Sequence, residues 1–122
     1  MVKENIHVKI DIDHHIIPDF YLNYALDAIG KNGTLYLAQY FDFDKVKDAA
    51  ISHLLVTNES LNKRFNKDQT NKVFIFGTEP ELNTDDHRRW DYLYKQEGFL
   101  LKHPSESKAV AEEMLRAGVK KF

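Results

Sequence analysis

Hydrophobic and polar residues alternate from the first positions of the chain: Ile6, Val8, Ile10 and Ile12 are interleaved with His7, Lys9, Asp11 and Asp13. A period of two predicts a strand over 6–13, with the isoleucines on one face and Lys9, Asp11 and Asp13 on the other. Pro18 and Asp19 then open a predicted helix, whose apolar stripe is Phe20, Leu22, Ala25, Leu26 and Ile29. The Gly30-Lys31-Asn32-Gly33 stretch stops that helix, because glycine and asparagine tolerate the left-handed conformation. From Thr34 to Phe43 one face carries Leu35, Leu37, Phe41 and Phe43 and the other Tyr36, Ala38, Tyr40 and Asp42. Apolar residues on both faces predict a strand covered on both sides.

Further along, Asp44 can cap a helix over 45–55, and Thr57 or Asn58 a shorter one through Phe65. A polar turn over 67–71 leads to a buried strand, Lys72 to Phe76. Thr84, Asp85 and Asp86 start a helix with Trp90, Leu93 and Tyr94 on its apolar face, ended by Gly98. A short strand over 99–101 and a last helix over 106–117 complete the reading. A strand, a helix and a strand within the first forty-three residues make a βαβ unit, which places both strand ends on one edge. The predicted fold class is α/β: one domain over 1–122, three-layered, with a largely parallel central sheet of Rossmann-like type.

Composition narrows the chemistry. With 122 residues, 43% hydrophobic and 30% charged, the chain is sized for a single domain with its own core. A formal net charge of −2 gives no global basic field of the kind that drives non-specific nucleic-acid binding. Lys63, Arg64, Lys67 and Lys72 form one loose basic run and Lys120 and Lys121 another, each expected as solvated surface. The absence of cysteine removes disulfides, thiolate metal sites and thiol nucleophiles, so any metal must use oxygen or imidazole ligands. No stretch has the length and apolarity of a membrane span, and the first residues lack the apolar centre of a signal peptide, so a cytoplasmic location without membrane contact is expected.

The densest candidate chemistry is Asp11, Asp13, His14 and His15 at the end of the first strand. Two carboxylates at i and i+2 of a strand lie roughly 7 Å apart, close enough to share one ion or hold two adjacent ones. Oxygen ligands suit Mg2+ or Mn2+, and an imidazole from His14 extends the choice to transition metals. The βαβ geometry is expected to bring Asp42 to the same place, making Asp11, Asp13 and Asp42 the expected catalytic and metal-binding triad. Lys9 shares their strand face and is the expected phosphate contact. His53, His87 and His103, together with Asp85 and Asp86, are expected to serve surface packing and helix starts.

Ile10-Asp11-Ile12-Asp13-His14, the segment after it, and Lys31-Asn32-Gly33-Thr34-Leu35 leading to Tyr40-Phe41-Asp42-Phe43 resemble the NYN domain, a PIN-like nuclease fold. The resemblance implies a metal-dependent ribonuclease or phosphodiesterase, with RNA or another phosphodiester as substrate. It makes Asp11 the leading metal-binding carboxylate, sets Asp13 and His14 at the positions of an Asp-Asn pair, and matches Asp42 to the acid of the second strand. Trp90 to Phe99 is similar to a later helix and Gly-Phe strand of that family. The chain departs from the pattern at His14, and it offers Glu112 and Glu113 where the family carries later aspartates. An incomplete acid set implies a second expectation: a non-catalytic interaction or regulatory protein with a protein partner, or a homodimer in which a neighbouring chain supplies acids. Asp11-x-Asp13 with Leu54-Leu55-Val56-Thr57-Asn58 is also similar to haloacid dehalogenase-like phosphatases, in which Asp11 would be the nucleophile and Asp13 the acid/base. Asp13-His14-His15 is similar as well to the motif of DHH phosphoesterases.

Overall fold

Alternation and an Asn-Gly turn build the first half of the protein as a meander of three antiparallel strands. The computed structural model describes residues 7–65 and 70–121. Strands β1 (His7–Ile12), β2 (Tyr24–Asn32) and β3 (Thr34–Tyr40) are followed by helix α1 (Asp48–Phe65), strand β4 (Lys72–Phe76), helix α2 (Asp85–Tyr94) and strand β5 (Phe99–Lys102). A 3-10 turn (Pro104–Glu106), helix α3 (Ser107–Arg116) and the short strand β6 (Lys120–Lys121) complete the order. The sheet runs β1-β2-β3-β4-β5, with β6 pairing β2. Pairs β1-β2, β2-β3 and β2-β6 are antiparallel, whereas β3-β4 and β4-β5 are parallel. The expected largely parallel sheet is thus a mixed one, parallel only in its second half.

The predicted helix over 18–29 is corrected to a turn followed by β2. Tyr24 and Leu26 enter the core with a period of two, and Asn32 faces Thr34 across Gly33, which has φ 73°. Asparagine-glycine with a positive φ is hairpin chemistry, so β2 folds straight back against β3 rather than ending as a helix. This correction removes the first βαβ unit: β1 and β3 run in the same direction but are separated by β2. The two helices expected over 45–65 are one. Thr57 caps nothing; it is fully buried inside α1, and its hydroxyl donates to the His53 carbonyl at 2.6 Å. Strand β4 lies where its apolar run predicts, and Thr84 caps α2 by accepting from the His87 N–H. Ile6 and most of the predicted turn over 67–71 fall outside the described residues.

The sheet buries both faces. On one, Ile12, Leu26, Ile29, Leu37, Val73 and Ile75 meet Ile51, Leu54 and Leu61 of α1 and Leu93 of α2. On the other, Tyr36, Ala38, Phe74 and Phe76 meet Val110 and Met114 of α3, and Val119. Buried Asn71 ties the entry of β4 to α1, its Nδ2 donating to Asn58 Oδ1 at 2.9 Å and its N–H to Asn62 Oδ1 at 3.2 Å. Among the described residues, no helix is long and apolar enough to cross a membrane.

The first hairpin carries an irregularity. Val8 pairs Ala28 and Ile10 pairs Leu26, but Lys9, with φ 58°, stands opposite Asp27 outside the ladder. Ile29 and Leu26 both enter the first core, although three residues apart in a strand they should face opposite ways. The strand therefore changes face between them. Asp27 covers the gap: its Oδ2 accepts from the Tyr40 N–H at 2.8 Å and its Oδ1 from Lys9 Nζ at 3.2 Å. Burial first, and the Asp27 charge second, push the Tyr24 phenol well above its usual range.

Two outcomes follow from this packing. Leu54→Ala, at a fully buried position of α1, should cost about 2–5 kcal/mol in denaturant unfolding. A phenol whose folded pKa is raised contributes stability that is present below its unfolded pKa and is lost as the pH rises from about 10. Unfolding midpoints measured from neutral to strongly alkaline pH should fall over that range, and less steeply in Tyr24→Phe.

Candidate metal-binding turn and the cleft beside it

Beyond β1 the chain makes a tight turn organised by Asp13. Its carbonyl accepts from the N–H groups of Ile16 and Ile17 at 3.1 and 3.0 Å, and its Oδ1 accepts from the His15 N–H at 2.9 Å. An aspartate that bonds the backbone two residues on holds such a turn without help from a helix. Ile17 and Phe20 anchor the loop in the first core, so the polar residues between β1 and that anchor are left at the surface. The His14 and His15 rings lie with centroids 4.1 Å apart and tilted by 35°, and His15 Nδ1 lies 3.2 Å from Asp13 Oδ1.

Asp13, His14 and His15 each offer one ligand atom, and the three atoms lie within 4.8 Å of one another. The His15 backbone N–H is the main cause holding the Asp13 carboxyl below its ordinary value; partial desolvation opposes it, and the two imidazoles add to the lowering. A carboxylate kept ionised is an acceptor-only ligand. One carboxylate with two imidazoles suits a borderline ion such as Zn2+ best, and among hard ions Mn2+ accepts imidazole more readily than Mg2+, which prefers an all-oxygen shell.

The other residues expected at this site lie elsewhere. Asp11 is exposed on β1, on the opposite face from core-facing Ile10 and Ile12. Asp42 lies past the carboxyl end of β3, and β2 separates β3 from β1. It binds its own loop, accepting from the Asp44 N–H at 3.1 Å. With Asp44, Glu79 and Glu81 it borders a depression of about 860 Å³ beyond β3 and β4. Lys9 is paired with Asp27. Glu112 and Glu113 are exposed on α3. Among the remaining histidines, His87 pairs Glu79 at 2.9 Å and His103 caps the 3-10 turn.

What the sequence did not point to is a cleft of about 750 Å³ that His15 and Ile16 share with the β2-β3 hairpin, the end of α1 and the start of β6. Its charged lining is Lys31, Arg64 and Lys120, and no carboxylate among the described residues lines it. Arg64 and Lys120 come from the two basic runs, 56 positions apart, that read as solvated surface. Their convergence depends on β6 pairing β2, and a two-residue strand leaves no periodic signal.

Whether this turn takes up a metal ion is directly measurable. With Mn2+ or Zn2+ at a hundredfold excess over Kd, the protein should gain about 2.7 kcal/mol against thermal unfolding. Asp13→Asn and His15→Ala should each remove most of that gain, and Asp42→Asn should leave it intact. The chain matches no protein-family model, no curated protein and no solved structure, so its resemblance to the NYN domain rests on the motif residues alone.

Proposed function

We propose that this protein is a divalent-metal-dependent phosphodiesterase of ribonuclease type, working at the turn of Asp13, His14 and His15. The observation that supports this reading best is the position of His15, which belongs both to the three-ligand group and to the wall of a cleft bearing three cations and no described carboxylate. A phosphodiester needs both. A bound ion polarises the phosphoryl oxygen and makes a nucleophile of its water, while fixed cations hold the flanking phosphates. Asp13 and His14 keep the ligand roles expected of them, and His15 joins in place of the more distant Asp42. Asp11, exposed on β1, is not a member of the group.

A second reading is a binding protein that keeps the phosphate site without hydrolysis. It draws on one specific observation: the three ligands come from consecutive residues of one turn, two of them exposed, and no further acid joins them among the described residues. The dehalogenase-like reading has less support, since Thr57 is buried on the face of the sheet opposite Asp11 and Lys72 extends over the Tyr36 ring at 5.4 Å.

An end-labelled single-stranded RNA incubated with Mn2+ or Zn2+ separates the readings. Cleavage is expected to be abolished by chelator and lowered at least about a hundredfold by Asp13→Asn. Cleavage that persists in chelator or in the folded Asp13→Asn protein would refute the metal mechanism. Metal and RNA binding with no cleavage would establish the binding protein instead.

A further inference from the structure

Strand β6 has only two residues, yet it delivers Lys120 to the wall of the cleft. Val119 is buried in the core under α3, and the period of two along a strand turns Lys120 to the opposite face. Lys31, two residues after Ile29, shares that face with the core beneath α1. The ladder pairs Lys31 with Lys120, so the two emerge side by side where α1 ends at Arg64 and Phe65. The path into β6 is a Schellman turn: the Gly118 N–H donates to the Leu115 carbonyl and the Val119 N–H to the Met114 carbonyl, both at 3.1 Å, with Gly118 at φ 78°. Val119 and Met114 complete it by entering the same core. The Ala117 carbonyl takes no part in those two bonds. It accepts instead from Nδ2 of Asn32, the residue after Lys31 on β2.

We infer that Asn32 is a positioning residue for the cleft: its amide holds the Ala117 turn against β2 and thereby sets Lys120 beside Lys31 to grip a phosphate. A ladder of two residues opens easily on its own, and a bond from the neighbouring position of β2 ties down the chain that feeds it. Asparagine suits the task because its amide is a neutral donor, whereas an aspartate offers a carbonyl nothing to accept. The side chain is at the surface and belongs to neither core, so its loss deletes the clasp and leaves the packing intact. Its backbone is not at positive φ, and alanine fits there without strain. Asn32 also lines the cleft, and a direct contact with substrate is the competing role. The two roles differ in how the loss of Asn32 combines with the loss of Lys120. The ligand named in this inference rests on the phosphodiester reading; the placement of Lys120 does not, and it is measured without a ligand.

Two measurements test it. In the first, a short bifunctional amine reagent bridges Lys31 to Lys120 in the free protein, and the bridged peptide is quantified by mass spectrometry. Asn32→Ala is expected to lower its yield at least about threefold, because the untied strand spends more time open. Gly118→Ala should do the same from another residue, since it strains the turn through its positive φ while its added Cβ comes no closer than 3.9 Å to Asn32 Nδ2. Heat resistance of Asn32→Ala close to the wild type shows that the variant is folded. In the second, anisotropy of a labelled single-stranded RNA is followed against salt, in chelator so that the strand stays intact. Each phosphate contact on a single strand adds about 0.7 to the slope of log K on log salt. Lys120→Ala and Asn32→Ala should each flatten the slope by about that amount and weaken binding about tenfold at low salt, and the double variant should bind no more weakly than Lys120→Ala alone. Arg64→Ala, across the cleft, should add its loss to that of Asn32→Ala. Unchanged bridging in Asn32→Ala overturns the inference whether or not RNA binds. Losses that add between Asn32→Ala and Lys120→Ala overturn it as well, because Asn32 then touches the strand itself. Reduced bridging in a protein that binds no RNA supports the placement of Lys120 by Asn32 and overturns the phosphate role of the cleft.

Discussion

The burial of α1 against the sheet is the contact on which the remaining geometry depends. Leu54 and Leu61 have no exposed surface, and neither have Leu37, Val73 and Ile75 beneath them. At about 25 cal/mol per Å² of apolar surface removed from water, such side chains contribute roughly 1.5–3 kcal/mol each. The sheet under the helix is parallel, β3 to β4, so the helix must span the crossover from the end of one strand to the start of the next. Its last turn therefore lies at the edge where β3 begins. That edge is also where the β2-β3 hairpin turns, and so Arg64 and Phe65 come to face Lys31.

The change of face at Lys9 and Asp27 sets the other half of the arrangement. A non-glycine residue at positive φ costs on the order of 1–3 kcal/mol, and here it lets one hairpin serve two different packings. After it, β2 pairs with β3 from Ala28 to Asn32; before it, Tyr24 and Leu26 reach the first core beside Ile10 and Ile12. Asp27 supplies side-chain acceptors where the β2-β3 ladder stops, which keeps the Tyr40 N–H satisfied.

The legible parts of the sequence were those where one signal acted alone. The apolar run of β4, the Thr84 cap of α2 and the alternation of β3 each predicted its element. The segment from Phe20 to Ile29 failed because its apolar residues satisfy a helical stripe and a strand alternation at once, and the Asn32-Gly33 pair suits a helix stop as well as a hairpin. That single ambiguity carried the Asp42 expectation with it, since the adjacency of β1 and β3 followed from the presumed helix. Asp13 and His14 were legible as candidates because ligand residues adjacent in sequence need no fold to meet. The cleft cations were not, because Lys31, Arg64 and Lys120 meet only through tertiary pairing.

The tether between Asn32 and Ala117 has a kinetic side. Strand β6 has two residues, the least a ladder can hold, and such an element opens locally long before the core does. Each opening carries Lys120 away from the cleft and leaves Lys31 and Arg64 in place. An opening of β6 would leave the cleft with two cations in place of three, without any change in α1 or the central strands. Amide exchange at the end of the chain would report that alternation as a rate, and a bound polyanion would slow it by bridging the two lysines.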